Sequence, residues 1–252
     1  MIPAWLSLLD AIVGFAMVVV GIVGAHIGTV EPMVGFSMFL LGYAIAVLAF
    51  LIGLIAIWRT SAPQRRIGRP KAVAGVILSL IIVIPVGFVI WRWMSMPYPP
   101  INDITTDYAN PPQFAHPPGL NADAMQYNRA KFEPVQESGY AKLQPLKLDE
   151  RPDDAFAKVK AAANTMPGWR VVYTDPATRT IEGIEISRLF RFVDDFAIQV
   201  RPGPDANTSL VEMRSRSRDG TGDFGVNYNR IRGFFTMLQA GGSTGPTSAS
   251  AR

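Results

Sequence analysis

The stretch "MVGFSMFLLGYAIAVLAFLIGLIAIW" (residues 33–58) runs for 26 residues without a charge. A helix needs about 20 apolar residues to cross a bilayer core, so this run reads as a membrane span. Residues 72–91 form a second uncharged run, of 20. Residues 5–27 form a third, interrupted by Asp10. That carboxylate sits near the start of its run, beside Trp5, where it can reach interfacial water. A cleaved signal peptide would want a basic leader and a small-residue cleavage site. This leader has no Lys or Arg, and Val23-Gly24-Ala25 is a poor site. The expectation is a membrane region, 1–93, with spans at about 5–27, 33–58 and 72–91.

Orientation follows from the connecting stretch "RTSAPQRRIGRPK" (59–71). Arg59, Arg65, Arg66, Arg69 and Lys71 place five positive charges in one short loop, which marks it as cytoplasmic. The N-terminus is then cytoplasmic, and everything beyond Trp93 lies on the far side. The expected location is a bacterial inner membrane, crossed several times, with a periplasmic C-terminal domain. Trp5, Trp58, Trp91 and Trp93 fall at the span ends, as an aromatic belt does.

Charge and composition exclude some functions. Residues 1–93 hold six Lys/Arg against two Asp/Glu, and residues 94–252 hold eighteen of each. The basic surplus is therefore a topology signal, and no nucleic-acid partner is expected. Membrane lipids and a membrane-protein or envelope partner are the expected partners. Cysteine is absent, which removes thiol nucleophiles, disulfides and cysteine-held clusters. No cofactor or metal site is expected: the histidines are His26, at a span end, and His116, in a proline-rich loop, and no carboxylates follow a known loop spacing.

Beyond the spans, seven prolines within residues 97–118 point to an extended entry segment, 94–142. Ile101, Ile104, Tyr108 and Phe114 give it more apolar surface than a free linker needs, so part of it should pack on the domain. The folded unit spans 143–240. "PDDAFAKVKAAANT" (152–165) has acids in its first turn and apolar residues at helical spacing. Four strands follow, at "WRVVYTD", "TIEGIEIS", "FRFVDDFAIQV" and "LVEMRSRSR". "NYNRIRGFFTMLQ" closes the unit, with Tyr228, Ile231, Phe235 and Leu238 on one helix face. The expected fold is α+β: an antiparallel four-stranded meander with its helices on one face. Residues 241–252 are small and polar and read as a disordered tail.

The chemistry concentrates in "RSRSRDGTGDFGVN" (214–227). On a strand alternate residues share a face, so Arg214, Arg216 and Arg218 line one side, opposite Val211 and Met213. Asp195, on the preceding strand, shares their face. Two readings stay open. One is a solvated sheet face balanced by acids such as Asp195. The other is an anion or lipid-headgroup site, with Arg214, Arg216, Arg218 and Arg230 as donors. Asp223 and Asn227 are placed to cap the closing helix. Asp-Phe-Gly carries no kinase meaning, because the other kinase motifs are missing. A carboxylate hydrolase is a weaker alternative. Asp194 and Asp195 face opposite sides of their strand and cannot act as a pair, and Asp194 needs a core partner such as Arg188 or Arg191.

"INDITTDYANPPQF" (101–114), "RFVDDFAIQV" (191–200) and "RSRSRDGTGDFGVNYNRI" (214–231) together resemble a bacterial and plastid domain family named only as a domain of unknown function. The resemblance covers roughly residues 100–240. It brings no activity, substrate or catalytic residue. It marks Asp103, Thr105, Thr106, Asp107, Arg214–Arg218, Gly220, Asp223, Gly225, Asn227 and Arg230 as pattern positions. The chemistry of the two blocks raises one expectation: Asp103 and Asp107 pair with the arginine strand, clasping the entry segment to the sheet. The function expected is a non-catalytic interaction or scaffolding domain on a membrane anchor.

Overall fold

A computed structural model describes residues 2–60, 67–116, 125–140 and 142–240. Arg65 and Arg66 of the basic loop, and the tail 241–252, lie outside the described residues. The chain divides into two compact units. The first comprises residues 1–96 with the loop 187–191, and the second comprises 97–186 with 192–252.

The first unit is built on three long helices: α1 (Ile2–His26), α2 (Pro32–Arg59) and α3 (Arg69–Met94). Each is long and apolar enough to cross a membrane. Most of their large apolar side chains face outward, which suits a lipid solvent. Small residues carry the contact between α1 and α2. Gly14 meets Gly42 and Gly21 meets Gly35, so closely that a Cβ on any of the four would sit within about 3 Å of the opposing backbone. Ser7 extends the same antiparallel register by donating to the Ala49 carbonyl, 2.9 Å away. At the shared end of α1 and α3, the Lys71 ammonium lies 3.5 Å from the centre of the Trp5 ring.

The second unit is a six-stranded antiparallel sheet. Its elements are β1 (Asp103–Thr105), α4 (Arg129–Gly139), β2 (Leu146–Leu148), α5 (Pro152–Thr165), β3 (Trp169–Asp175), β4 (Thr180–Ile186), β5 (Val193–Pro202), β6 (Ser209–Ser217) and α6 (Val226–Gln239). Strands β3 to β6 form the meander read from the sequence. Two strands come in addition: β1 and β2 both lie along the free edge of β6, against residues 214–216 and 209–211. The expected four strands are therefore six. The additions are three residues each and pair with β6 across more than sixty residues of sequence, so no local alternation announces them.

Helices α5 and α6 pack on one face. Ala155, Phe156 and Val159 of α5 and Tyr228, Ile231 and Phe234 of α6 bury against Phe196, Ile198, Val211 and Met213 of the sheet. The entry segment differs from its expected extended form, because α4 is a helix containing Pro134. Asn128 caps it by accepting the Lys131 N–H at 3.1 Å. Gln136 of α4 then closes the outer edge of β1: its amide donates to the Thr105 carbonyl (2.8 Å) and accepts the Thr105 N–H (3.1 Å). One side chain thereby stands in for a neighbouring strand.

The face expected to be solvated is covered. Arg214 and Asp195 are fully buried there. The entry segment lies over it, and the Glu182 carboxylate on β4 accepts the backbone N–H groups of Ala115 (3.1 Å) and His116 (2.9 Å).

Candidate functional site

Strand β6 presents its arginines in steps of two residues, and their exposure rises along the strand. The side chain of Arg214 is 0% exposed, that of Arg216 17% and that of Arg218 21%. Burying a guanidinium is costly unless it is paired and hydrogen-bonded, and each of the three Arg214 nitrogens finds an acceptor. Its Nε and Nη2 donate to the two carboxylate oxygens of Asp103, at 2.9 and 2.8 Å. Its Nη1 donates to the Met125 carbonyl at 2.7 Å. The ring centres of Phe114 and Tyr127 lie 4.6 and 5.4 Å from the guanidinium carbon.

Asp103 reaches this position because β1 pairs with β6. Its Cα partner is Arg216, yet its carboxylate forks onto the diagonal neighbour Arg214, and Arg216 approaches at 3.5 Å. Burial pushes the Asp103 carboxyl above its ordinary range, and the Arg214 hydrogen bonds and the Arg214 and Arg216 charges pull it back. On β5, Asp195 accepts both forks of Arg218 at 2.8 Å. This pair raises the Arg218 pKa further. Asp107 does not join the arginine strand. It lies 4.0 Å from Arg201 of β5, and its Oδ1 accepts the N–H groups of Ala109 and Asn110, shaping the turn that follows.

A second knot forms on the opposite face, under α6. Arg230 donates through Nε to Glu185 (2.8 Å), through Nη2 to Asp194 (2.5 Å) and through Nη1 to Ser215 (2.8 Å) and Asn227 (2.5 Å). Asp194 therefore finds its partner on the closing helix, not in Arg188 or Arg191. Asn227 joins helix to sheet: its Oδ1 accepts from Ser215, and its Nδ2 donates to Ser217 (3.0 Å) and the Asn102 carbonyl (3.4 Å). It is not the expected helix cap. The capping falls to Asp223, which accepts the N–H groups of Gly225 (2.9 Å) and Asn227 (2.8 Å). Burial raises the Asp223 pKa against those bonds. Gly225 precedes α6 with φ of 81°, and a Cβ there would run into the Tyr98 ring.

Asn102, Gln136, Glu182, Glu185 and Glu212 belong to these networks and escaped the sequence reading. Only Asn102 had a local signal, its place next to the Asp-Ile-Thr-Thr-Asp entry. Glu212, 3% exposed on β6, lies 3.1 Å from Arg201. Burial lifts its pKa to about 7, against the Arg201 charge, and the nearby Asp107 charge adds to the rise. The folded protein thus holds a proton on Glu212 more tightly than the unfolded chain. Stability from this group is fully present below about pH 4.5 and is lost as pH rises through about 7, by up to roughly 3 kcal/mol. Glu212→Gln is expected to flatten the fall in unfolding free energy between pH 5 and 8. An unchanged slope in the variant contradicts the assignment.

The arrangement ties Asp103, Asp195 and Asp194 to the guanidiniums of Arg214, Arg218 and Arg230. Among the described residues no group of three or more His, Asp or Glu is placed to hold a metal ion.

No curated protein matches the chain. Among solved structures, it is similar to the di-domain ARO/CYC BexL from the BE-7585A biosynthetic pathway, at 17% identity and a TM-score of 0.28. That similarity covers 38% of this chain and 42% of BexL, so the chain spans less than half of that protein. A sequence family described as a protein of unknown function (DUF1499) matches residues 103–238. This range starts at the carboxylate that holds Arg214 and ends on the last buried leucine of α6, and the chain belongs to the DUF1499 family.

Proposed function

We propose that this is a non-catalytic, membrane-anchored interaction or scaffolding domain serving a membrane or envelope complex. The observation that carries this reading is that polar residues of the pattern read from the sequence are bonded to one another and to acids of β4 and β5. Arg214 holds Asp103, Arg218 holds Asp195, Arg230 holds Asp194 and Glu185, and Asn227 holds Ser215 and Ser217. Residues that an anion site or a hydrolase would keep open are used to fix the entry segment and α6 to the sheet. The pattern is then a folding signature, and function rests on the surface the fold presents.

The basic loop after α2 supports a cytoplasmic N-terminus and a periplasmic domain. The lack of native cysteine makes this directly testable. A single Lys160→Cys chain should react with a membrane-impermeant maleimide in intact spheroplasts, and Ile67→Cys should react only after lysis. The reverse pattern contradicts the orientation. Isolated from its own membranes in mild detergent, the tagged full chain should retain one membrane or envelope protein in near-stoichiometric amount. Recovery of the chain alone contradicts the scaffolding reading.

A further inference from the structure

Between α6 and the chain leading into β2 runs a groove of about 490 Å³. Its volume lies within the range of small-ligand sites, about 300–1,000 Å³. Leu143, Leu146, Tyr228 and Phe235 supply its apolar lining, and Lys142, Lys147 and Arg232 stand on its walls. No carboxylate is among the described residues that line it.

The fold explains the placement. In β2, Lys147 alternates with the buried Leu146 and Leu148, so the pleat turns it away from the core. On α6, Tyr228, Arg232 and Phe235 follow one another at i, i+4 and i+7, beside the stripe that meets the sheet. The Arg232 guanidinium carbon is 5.5 Å from the Tyr228 ring centre. Lys147 has the exposed Asp149 and Asp205 at 3.8 and 3.9 Å, both outside the lining. The second unit is thus supplied with a local excess of positive charge next to apolar surface, although residues 94–252 carry equal numbers of acids and bases.

We propose that this groove binds the headgroup and upper acyl region of an anionic phospholipid. The phosphate-bearing head would meet Lys142 and Arg232, and the adjoining methylenes would lie on Leu143 and Phe235. A chain with three helices able to cross a bilayer meets such lipids at high local concentration, which compensates for an open site built on exposed side chains. The proposal does not involve Arg214, Arg216, Arg218 or Arg230, and it is independent of the scaffolding reading.

The test uses the full chain in phosphatidylcholine nanodiscs, titrated by calorimetry with dihexanoyl-phosphatidylglycerol, dihexanoyl-phosphatidylcholine and inorganic phosphate. Phosphatidylglycerol should bind at least about tenfold more tightly than either of the others. Lys142→Gln/Arg232→Gln should weaken it by at least about tenfold, whereas Lys160→Gln/Arg170→Gln, which removes the same charge outside the groove, should change it less than about twofold. All four positions are exposed, so the variants should fold. Equal binding of the two lipids overturns the proposal, as does phosphate binding that matches the lipid. Equal losses in the two double variants, or no binding at all, overturn it as well.

Discussion

Arg214→Ala is expected to destabilise the C-terminal domain more than any other single change. The substitution removes both hydrogen bonds that neutralise Asp103, whose side chain is 0% exposed. Arg216 remains at 3.5 Å from that carboxylate, with the Lys131 charge a weaker influence. Breaking a buried ion pair from one side costs about 3–5 kcal/mol, because it leaves a charge without water or partner. A domain of ordinary stability has about 5–15 kcal/mol in total. The Met125 carbonyl and the faces of Phe114 and Tyr127 lose their contact in the same step. Circular dichroism melts of the full chain in detergent should show the domain transition fall by roughly 10–20 °C or vanish. A melt like that of the native protein contradicts the role given to Arg214.

Arg230→Ala should be the next most damaging change, and by a different route. It leaves Asp194 without its guanidinium partner and takes donors from Glu185, Ser215 and Asn227. Two of these, Ser215 and Asn227, are fully buried. A loss of roughly 3 kcal/mol is expected. Arg230→Lys should recover little of it, because an ammonium cannot reproduce a planar fork that serves four acceptors. Arg129→Ala provides the contrast. Arg129 and Glu133 also make a forked pair, but on the exposed face of α4, and no measurable shift in melting is expected. Equal effects at positions 129 and 230 would show that burial is not what gives these pairs their weight.

What could be read from the sequence follows the range of the interactions. The three spans, the meander β3–β6 and the helices α5 and α6 rest on local periodicity, and each was legible. The alternation around Arg214 placed Val211 and Met213 in the core correctly. It did not show what would lie on the other face, because the cover comes from residues 103–116, about a hundred positions earlier. The same distance hid β1: Asp-Ile-Thr is polar at both ends and becomes a buried strand only because Arg214 and Arg216 lie opposite it. Helix α4 was obscured by Pro134, a residue that argues against a helix interior. The charge partners were legible in type but not always in identity. Asp103 was expected against the arginine strand and is found there. Asp107 turned to Arg201, and Asp194 found Arg230 across the core.

The central claim is that the Asp-Ile-Thr-Thr-Asp entry and the arginine strand form one structural clasp. A double-mutant cycle on the full chain tests it most directly, using Asp103→Asn, Arg214→Met and the two combined, with unfolding free energies from urea titration. The clasp predicts a coupling of at least about 2 kcal/mol, with the double variant more stable than the sum of the single losses implies. Losses that add within about 0.5 kcal/mol would mean that the two residues act separately and that the clasp does not hold the domain together.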